Sequence, residues 1–176
     1  PRDIAASSGA GPGVGVLEIG PGIGPLTREL SLLADRVTAV ELDESLLPIL
    51  DETLADRDNV TVIPGDIMRF DLDRVVDGEF PGLTPIVCAN LPYNITTPVL
   101  TRLLECRRFA SVTVMIQKEV AQRICAQPGT ADYGAFSVLC QYYSKAEYLF
   151  DVPASCFLPA PKVTSAVIRM APRSAP

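Results

Sequence analysis

Short runs of β-branched and other apolar residues alternate with amphipathic stretches along this chain of 176 residues. Apolar runs cover residues 14–19, 37–42, 60–63, 85–89 and 112–116. Helical patterns occupy residues 24–33, 44–55, 97–106 and 118–126. This alternation indicates a single α/β domain whose sheet is mostly parallel and buried on both faces. Two later runs, 145–152 and 165–170, have no helix between them and predict an antiparallel hairpin at the sheet edge.

The composition excludes several kinds of catalytic site. The chain contains no histidine, which excludes Ser-His-Asp and Cys-His nucleophiles and any histidine base or metal ligand within it. Its five cysteines include no Cys-x-x-Cys pair, so we expect reduced packing thiols in a cytoplasm and no metal site. No apolar run reaches the roughly 18 residues that a membrane span needs. The net charge of −6 weighs against non-specific binding of nucleic acid.

A strand that runs into a Gly-x-Gly-x-Gly turn is the first candidate binding element. Gly20, Gly22 and Gly24 follow the run 14–19 and precede a helical pattern. Glycines in such a turn let the backbone bend tightly and approach a ligand closely. Alone, the motif also fits a tight turn that binds nothing.

Acidic residues at the ends of the next two strands strengthen the interpretation of a ligand site. Glu41 lies 21 residues after Gly20, where a carboxylate can accept hydrogen bonds from both ribose hydroxyls of a nucleoside. Asp66 ends the following strand and can bind an adenine amino group, although it also fits a turn or helix cap. Because open α/β sheets bind ligands at this edge, we assign the adjoining Leu42 and Ile67 to the same site.

The charge of Glu18 bears on which adenosine-containing cofactor fits. Both a nicotinamide dinucleotide and S-adenosylmethionine carry adenosine, but the turn departs from the dinucleotide spacing Gly-x-Gly-x-x-Gly. Glu18, just before the glycines, would repel a pyrophosphate and would suit a sulfonium and an ammonium. These observations favour S-adenosylmethionine.

The sequence Asn90-Leu91-Pro92-Tyr93 follows the fourth strand and carries the candidate catalytic residues. Pro92 biases Leu91 towards an extended backbone, which can aim the Leu91 carbonyl into the crevice beside the Asn90 side-chain oxygen. Two such acceptors can bind an exocyclic amine and favour its nucleophilic form, while Tyr93 offers a flat face for a base. A loop that merely turns the chain is the alternative.

Seven segments together resemble the ribosomal RNA adenine N6,N6-dimethyltransferase family of the bacterial KsgA/RsmA type. They are VLEIGPGIGPLT, VTAVELD, VIPGDI, ANLPYNITTPVL, VMIQKEVAQRI, YGAFSVLCQYY and FLPAPKVTSAVIRM, and they cover nearly all of residues 16–170. The resemblance implies a seven-stranded, Rossmann-like class I methyltransferase domain over residues 1–176. It also implies that the family's N-terminal cofactor-covering segment and C-terminal helical RNA-docking domain are not in this sequence.

The resemblance also implies roles for individual residues. Gly20, Glu41, Asp66 and Asn90 are expected to contact S-adenosylmethionine. Asn90, Leu91 and Tyr93 are expected to hold a flipped adenine, with Phe157 as a second aromatic side chain near that base. The implied reaction is dimethylation of two adjacent adenines in a hairpin loop of small-subunit ribosomal RNA during ribosome assembly. The implied partner is the pre-30S particle, and we expect a cytoplasmic monomer.

Other functions on the same fold remain open at this point. A large-subunit ribosomal RNA dimethyltransferase of the Erm type shares cofactor and chemistry, and a DNA or protein N-methyltransferase fits less well. A ribosome-assembly or transcription factor without turnover is the non-enzymatic alternative. A local basic patch could form from Arg102, Arg107, Arg108, Lys118 and Arg123, although these also fit ordinary solvated helix faces.

Overall fold

A computed structural model describes residues 1–174. The strands are β1 Val14–Ile19, β2 Arg36–Glu41, β3 Val60–Pro64, β4 Thr84–Asn90, β5 Val112–Gln117, β6 Ser144–Val152 and β7 Ser165–Pro172. The helices are α1 Arg2–Ser7, α2 Pro25–Ser31, α3 Leu47–Thr53, α4 Leu72–Glu79, α5 Thr96–Cys106, α6 Lys118–Ile124 and α7 Ala135–Tyr143. Short 3-10 segments span Glu44–Leu46, Ile67–Arg69, Tyr93–Ile95 and Ala154–Cys156.

The strands form one sheet in the order β3-β2-β1-β4-β5-β7-β6. The first five strands of this order are parallel, and β7 is antiparallel to both of its neighbours. The predicted mostly parallel sheet and its antiparallel hairpin at one edge are therefore confirmed. The chain order reverses between β1 and β4, and open sheets of this kind bind ligands in the crevice beyond such a reversal.

Apolar side chains cover both faces of the sheet, as expected for buried parallel strands. On one face, α4, α5, α6 and α7 pack on strand residues that include Leu17, Val87 and Val114. On the other face, α1 and α2 pack on Val16 and Val37, among others. The carboxyl ends of the strands are thus held in place by a core on each side, while the loops beyond them remain accessible.

The structure contains three helices that the sequence pattern does not predict, α1, α4 and α7. Contacts that the pattern does not show stabilise α4 and α7. Asp71 begins α4 by accepting hydrogen bonds from the backbone N–H groups of Asp73 at 3.1 Å and Arg74 at 3.2 Å. Helix α7 packs its Phe136 and Leu139 against the core, so its stability comes from tertiary burial.

The four predicted helices are present, and the one over residues 97–106 begins one residue earlier, at Thr96. The predicted helix over residues 44–55 divides into a 3-10 turn and α3. The predicted helices over 24–33 and 118–126 each end two residues early, at Ser31 and Ile124. No helix within residues 1–174 combines the length and hydropathy that crossing a membrane requires.

Candidate active site

Three adjoining cavities lie along the carboxyl ends of β1 to β4. The first, which we call the β2–β3 cavity, has about 200 Å³ and is lined by Gly20, Glu41, Leu42, Asp66 and Ile67, among others. The central cavity has about 400 Å³, with Glu18, Gly20, Gly22, Asn90 and Phe157 in its wall. The Tyr93 cavity has about 290 Å³ and is lined by Asn90, Leu91, Pro92, Tyr93 and Phe157 together with Pro159 and Pro161.

Residues shared between cavities show how the three are connected. Gly20 lines both the β2–β3 cavity and the central cavity. Asn90 and Phe157 line both the central cavity and the Tyr93 cavity. A ligand that fills the first two cavities would therefore pass over Gly20 and end beside Asn90. A second ligand in the Tyr93 cavity would meet it there.

The glycine turn leaves its backbone open to the central cavity. Gly20 and Gly22 adopt φ of +68° and +60°, a left-handed region that side chains with a Cβ rarely enter. A Cβ built at either position would meet no atom within 4 Å, so open space adjoins the backbone. The turn is fixed on its other side, where the Gly20 N–H donates to the Val40 carbonyl at 2.9 Å. This arrangement is a cradle that allows close approach of a ligand.

Gly24 has a different position from the other two glycines. It lines none of the three cavities, and a Cβ there would lie 3.3 Å from Oγ1 of Thr53 and 3.4 Å from Leu50. It adopts a φ of +91° at the N-cap position of α2. Gly24 was predicted to contact the cofactor, but the structure does not place it with the other predicted site residues. It instead turns the chain into α2 and packs close to α3.

Glu18 is a buried carboxyl group in the wall of the central cavity. It is 1% exposed, and its Oε2 atom has no hydrogen-bond partner among residues 1–174. Burial raises the pKa of Glu18 to about 8; the neighbouring Thr27 hydroxyl acts against this rise, and the charge of Glu41 adds to it by a smaller amount. The carboxyl group is thus largely protonated at neutral pH, and a cation placed beside it would favour its ionised form. An unpartnered buried carboxyl oxygen is a feature that a cationic ligand would satisfy.

Glu41 and Asp66 are both held by backbone N–H groups at the edge of the β2–β3 cavity. The Glu41 carboxylate accepts hydrogen bonds from Gly22 at 3.1 Å and from Asp43 at 2.8 Å. Asp66 accepts from the Met68 N–H at 2.9 Å and caps the 3-10 turn that follows. Each carboxylate keeps further acceptor positions, because two oxygens offer about four lone-pair sites. Both groups are oriented before any ligand arrives.

The last residue of β4 and the turn after it present two oxygen acceptors. No donor within residues 1–174 bonds to the Asn90 side chain or to the Leu91 carbonyl oxygen. The Leu91 N–H donates to the Met115 carbonyl at 3.1 Å, which fixes the turn against β5. The Pro92 carbonyl is engaged by the Ile95 N–H at 3.2 Å, closing the turn. The Asn90 amide oxygen and the Leu91 carbonyl therefore remain available to a ligand's N–H groups.

Two aromatic side chains lie at the Tyr93 cavity. Tyr93 is 38% exposed, and its hydroxyl is 2.8 Å from Oγ of Ser165, at the start of β7. Phe157 is half-buried and packs on the core face formed with α1 and α2. The Tyr93 ring is thus anchored at one end while part of its surface remains accessible for stacking.

Sequence reasoning missed several residues at this edge. Met115 and Ile4 line the central cavity, and Ser165 anchors Tyr93. Ser165 is separated from Tyr93 by 72 residues, and the two meet only because β7 inserts beside β5. The sequence PKVTS at residues 161–165 could have drawn attention to Ser165, but it does not indicate which side chain Ser165 would contact.

The five basic residues considered as a local patch are occupied by contacts within the fold. Arg108 pairs with Asp73 and Asp77, Lys118 with Asp151, and Arg123 with Glu119. Arg102 donates to the Met68 and Phe70 carbonyls. Arg107 lies over the Tyr143 ring. These contacts favour the interpretation of ordinary helix faces over a basic patch. No group of three or more potential metal ligands occurs in the described part of the chain.

Comparisons with known proteins agree with this geometry. The family model described as ribosomal RNA adenine dimethylase matches residues 3–176. A ribosomal RNA small subunit methyltransferase A from Shouchella clausii is 49% identical over 175 residues, which are 98% of this chain and 59% of that protein. The chain thus spans about three-fifths of the length of this relative.

Solved structures with the same fold include a ribosomal RNA methyltransferase and a dimethyladenosine transferase. The 23S rRNA methyltransferase ErmE superposes with a TM-score of 0.85 at 30% identity, covering 99% of this chain and 68% of that one. A dimethyladenosine transferase from Plasmodium falciparum gives 0.83 at 28% identity, covering 97% and 60%. The fold is that of the class I S-adenosylmethionine-dependent methyltransferases. Within that class, the chain belongs to the ribosomal RNA adenine dimethylase family.

Proposed function

We propose that this chain is the catalytic domain of an enzyme that dimethylates N6 of two adjacent adenines in small-subunit ribosomal RNA, using S-adenosylmethionine. The observation that carries the proposal is that Asn90 lines both the central cavity and the Tyr93 cavity. A methyl donor in the central cavity and an adenine in the Tyr93 cavity would meet at this residue. The family membership and the small-subunit relatives support the same reaction.

The residues that line the β2–β3 cavity and the central cavity fit S-adenosylmethionine. Glu41 and Asp66, with Leu42 and Ile67 beside them, would hold the adenosine end through the ribose hydroxyls and the adenine amino group. Gly20 and Gly22 would pass beneath the ligand, where the backbone leaves open space. The unpartnered Glu18 carboxyl would face the cationic end. When bound, this cofactor supplies an electrophilic methyl group on a sulfonium.

The turn after β4 would prepare the adenine amino group for attack. The nitrogen lone pair of adenine is delocalised into the ring, which makes it a weak nucleophile. The Asn90 oxygen and the Leu91 carbonyl would each accept one N–H of this amine and favour its pyramidal form. Tyr93 and Phe157 would hold the base by stacking. The nitrogen that gains a methyl group carries a positive charge and loses a proton to solvent, so the chain needs no histidine base.

The proposed substrate is an adenine in a hairpin loop of a pre-30S particle. Extruding a base from a loop costs less than extruding it from a duplex, since fewer stacking and pairing contacts are lost. The net charge of −6 and the paired arginines make this domain a weak electrostatic partner for RNA. Recognition would therefore depend on the base pocket and on the particle. In a bacterium, such an enzyme works in the cytoplasm, where ribosomes assemble, and we expect a monomer.

Methylation of large-subunit ribosomal RNA is the second candidate function. It is favoured by the superposition on ErmE at a TM-score of 0.85. The small-subunit relative is more similar in sequence, at 49% identity against 30%, and this supports the first candidate.

The test is methyl transfer from radiolabelled S-adenosylmethionine to undermethylated small-subunit particles and, in parallel, to large-subunit RNA. We expect label in N6,N6-dimethyladenine of the small-subunit RNA alone. Label confined to large-subunit RNA would support the second candidate. Cofactor binding by calorimetry without transfer to either RNA would support a non-catalytic assembly factor.

A further inference from the structure

Cys156 is an exposed thiol in the wall of the central cavity. It ends the 3-10 segment Ala154–Cys156, which follows β6. The same cavity is lined by Glu18, Asn90 and Phe157. A reagent that enters this cavity from solvent would therefore meet a thiol in the same cavity as residues that we assign to cofactor and base.

The other four cysteines are less accessible and less reactive. Cys88 and Cys140 are buried, and Cys106 and Cys125 are half-buried. Burial raises the pKa of the Cys140 thiol to about 12 and that of Cys125 to about 11, and it raises the pKa values of Cys88 and Cys106 as well. Because the thiolate is the reacting form, these four thiols would react slowly at neutral pH. A thiol reagent should consequently discriminate strongly in favour of Cys156.

The central cavity carries an independent sign that it binds a ligand. Oε2 of Glu18 has no hydrogen-bond partner within residues 1–174, although Glu18 is only 1% exposed. Native structures rarely leave a buried carboxyl oxygen unsatisfied unless a ligand or solvent completes it. Cys156 thus lines the same cavity as the Glu18 carboxyl group, one of whose oxygens has no hydrogen-bond partner among residues 1–174. A substituent on the Cys156 sulfur would compete with a ligand for space in this cavity.

We propose that Cys156 is a site of reversible modification by small-molecule disulfides, and that a group attached there blocks the cofactor cavity. The Cys156 sulfur attacks one sulfur of the disulfide, a new S–S bond forms, and the original S–S bond breaks. The departing sulfur leaves as a thiolate, and the Cys156 proton passes to solvent. Cys156 is oxidised and the departing sulfur is reduced, so no further oxidant is required. An added dithiol reverses the reaction.

The blocking effect rests on the proposed function, because it takes S-adenosylmethionine to be the occupant of the central cavity. The probe for occupancy is S-adenosylhomocysteine, the demethylated product, which avoids transfer of the methyl group to the thiol itself. Calorimetry of the unmodified chain comes first and establishes binding. The aromatic disulfide 5,5′-dithiobis(2-nitrobenzoate) then modifies the chain, and peptide mass mapping locates the modified cysteine.

We expect one rapidly reacting thiol per chain, mapped to Cys156 and lost in Cys156→Ser. Saturating S-adenosylhomocysteine should slow its reaction at least tenfold. The modified chain should bind S-adenosylhomocysteine at least tenfold more weakly, and dithiothreitol should restore its affinity. The half-buried Cys106 provides the matched control, since Cys106→Ser should retain the rapid thiol. Treated Cys156→Ser should keep the affinity that it has before treatment.

The outcomes separate the two levels of inference. If the unmodified chain does not bind S-adenosylhomocysteine, both the proposed function and the blocking effect are overturned. If it binds but does not protect Cys156, or if modified protein binds with unchanged affinity, only the blocking effect is overturned. Rapid reaction at a different cysteine would contradict the assignment of the reactive thiol.

Discussion

The two halves of the candidate active site use their polar groups in opposite ways. At the ends of β2 and β3, Glu41 and Asp66 accept hydrogen bonds from three backbone N–H groups, those of Asp43 and Met68 in their own loops and that of Gly22 in the glycine turn. At the end of β4, the Asn90 side chain and the Leu91 carbonyl accept none from the described residues. The cofactor half is thus oriented by the protein, whereas the acceptors of the target half are left for a ligand.

This difference fits the two tasks that we propose for the site. A carboxylate that must select ribose hydroxyls benefits from a fixed orientation, because ordering it during binding would cost conformational entropy. The Asn90 side chain is exposed, so water satisfies its oxygen until a base arrives. The cofactor half should therefore lose affinity when its hydrogen bonds are removed, and the target half should lose turnover.

The largest effect is expected from Asn90→Ala. Removing one of the two proposed acceptors should lower the rate of methyl transfer by about 10²–10³-fold, the range for loss of one preorganised group that stabilises developing charge. The measurement is single-turnover transfer to small-subunit particles, with circular dichroism to verify the fold. Asn94→Ala is the matched control, because Asn94 is also exposed and lies in the next turn. Near-normal transfer by Asn90→Ala would contradict the proposed mechanism.

In the cofactor half, Glu41→Ala should reduce affinity for S-adenosylhomocysteine. The substitution removes hydrogen bonds to a charged acceptor and frees the Gly22 and Asp43 N–H groups, an expected loss of about 1–3 kcal/mol. Calorimetry measures this as an increase in Kd of roughly 5- to 150-fold. Glu44→Ala, at an exposed carboxylate in the following turn, should leave the Kd unchanged. Equal affinities for the two variants would remove Glu41 from the site.

Glu18 should make cofactor binding depend on pH. Its pKa is raised to about 8 in the protein alone, and a bound cation lowers it, so binding releases a proton. Affinity for S-adenosylmethionine should therefore rise with pH and level off above pH 8. Between pH 7 and pH 8 the ionised fraction of a group with this pKa increases about fivefold, which sets the expected gain.

The control for this pH dependence is Glu18→Gln, which keeps the shape and removes the titration. The ligand's own amino group titrates identically with both proteins, so the difference between their pH profiles isolates Glu18. Calorimetry in buffers of different ionisation enthalpy gives the number of protons released. Parallel profiles for the two proteins would exclude ionisation of Glu18 on binding.

The same contrast explains how far the sequence was informative. The cofactor half is built from features that follow directly from the strands, since Glu41 ends β2, Gly20 and Asp66 lie within two residues of the ends of β1 and β3, and parallel strands end at one edge. The fold class and the three strand ends could accordingly be predicted from spacing alone. The Gly-x-Gly-x-Gly motif did not distinguish Gly24 from the other two glycines, although its backbone turns into α2 and its Cβ position faces α3.

The target half depends on contacts between segments distant in sequence. Phe157 lines two of the cavities because the loop after β6 lies over the end of β4, a relation that no local pattern specifies. Helix α7 depends similarly on the core that it covers. The sequence predicted the Asn90 turn as a local motif but could not predict what anchors Tyr93.

The smallest expected effect concerns the hydrogen bond between Tyr93 and Ser165, and it tests whether this bond contributes to the free energy of unfolding. Tyr93→Phe leaves the hydroxyl of Ser165, which is 1% exposed, without its 2.8 Å partner, and should destabilise the fold. Adding Ser165→Ala removes the unpaired group, so the double variant should recover about 1 kcal/mol relative to Tyr93→Phe in urea unfolding. Because both variants retain the aromatic ring, stacking on the target base should persist. Strictly additive losses would show that the two hydroxyls are independent and that the ring is held by packing alone.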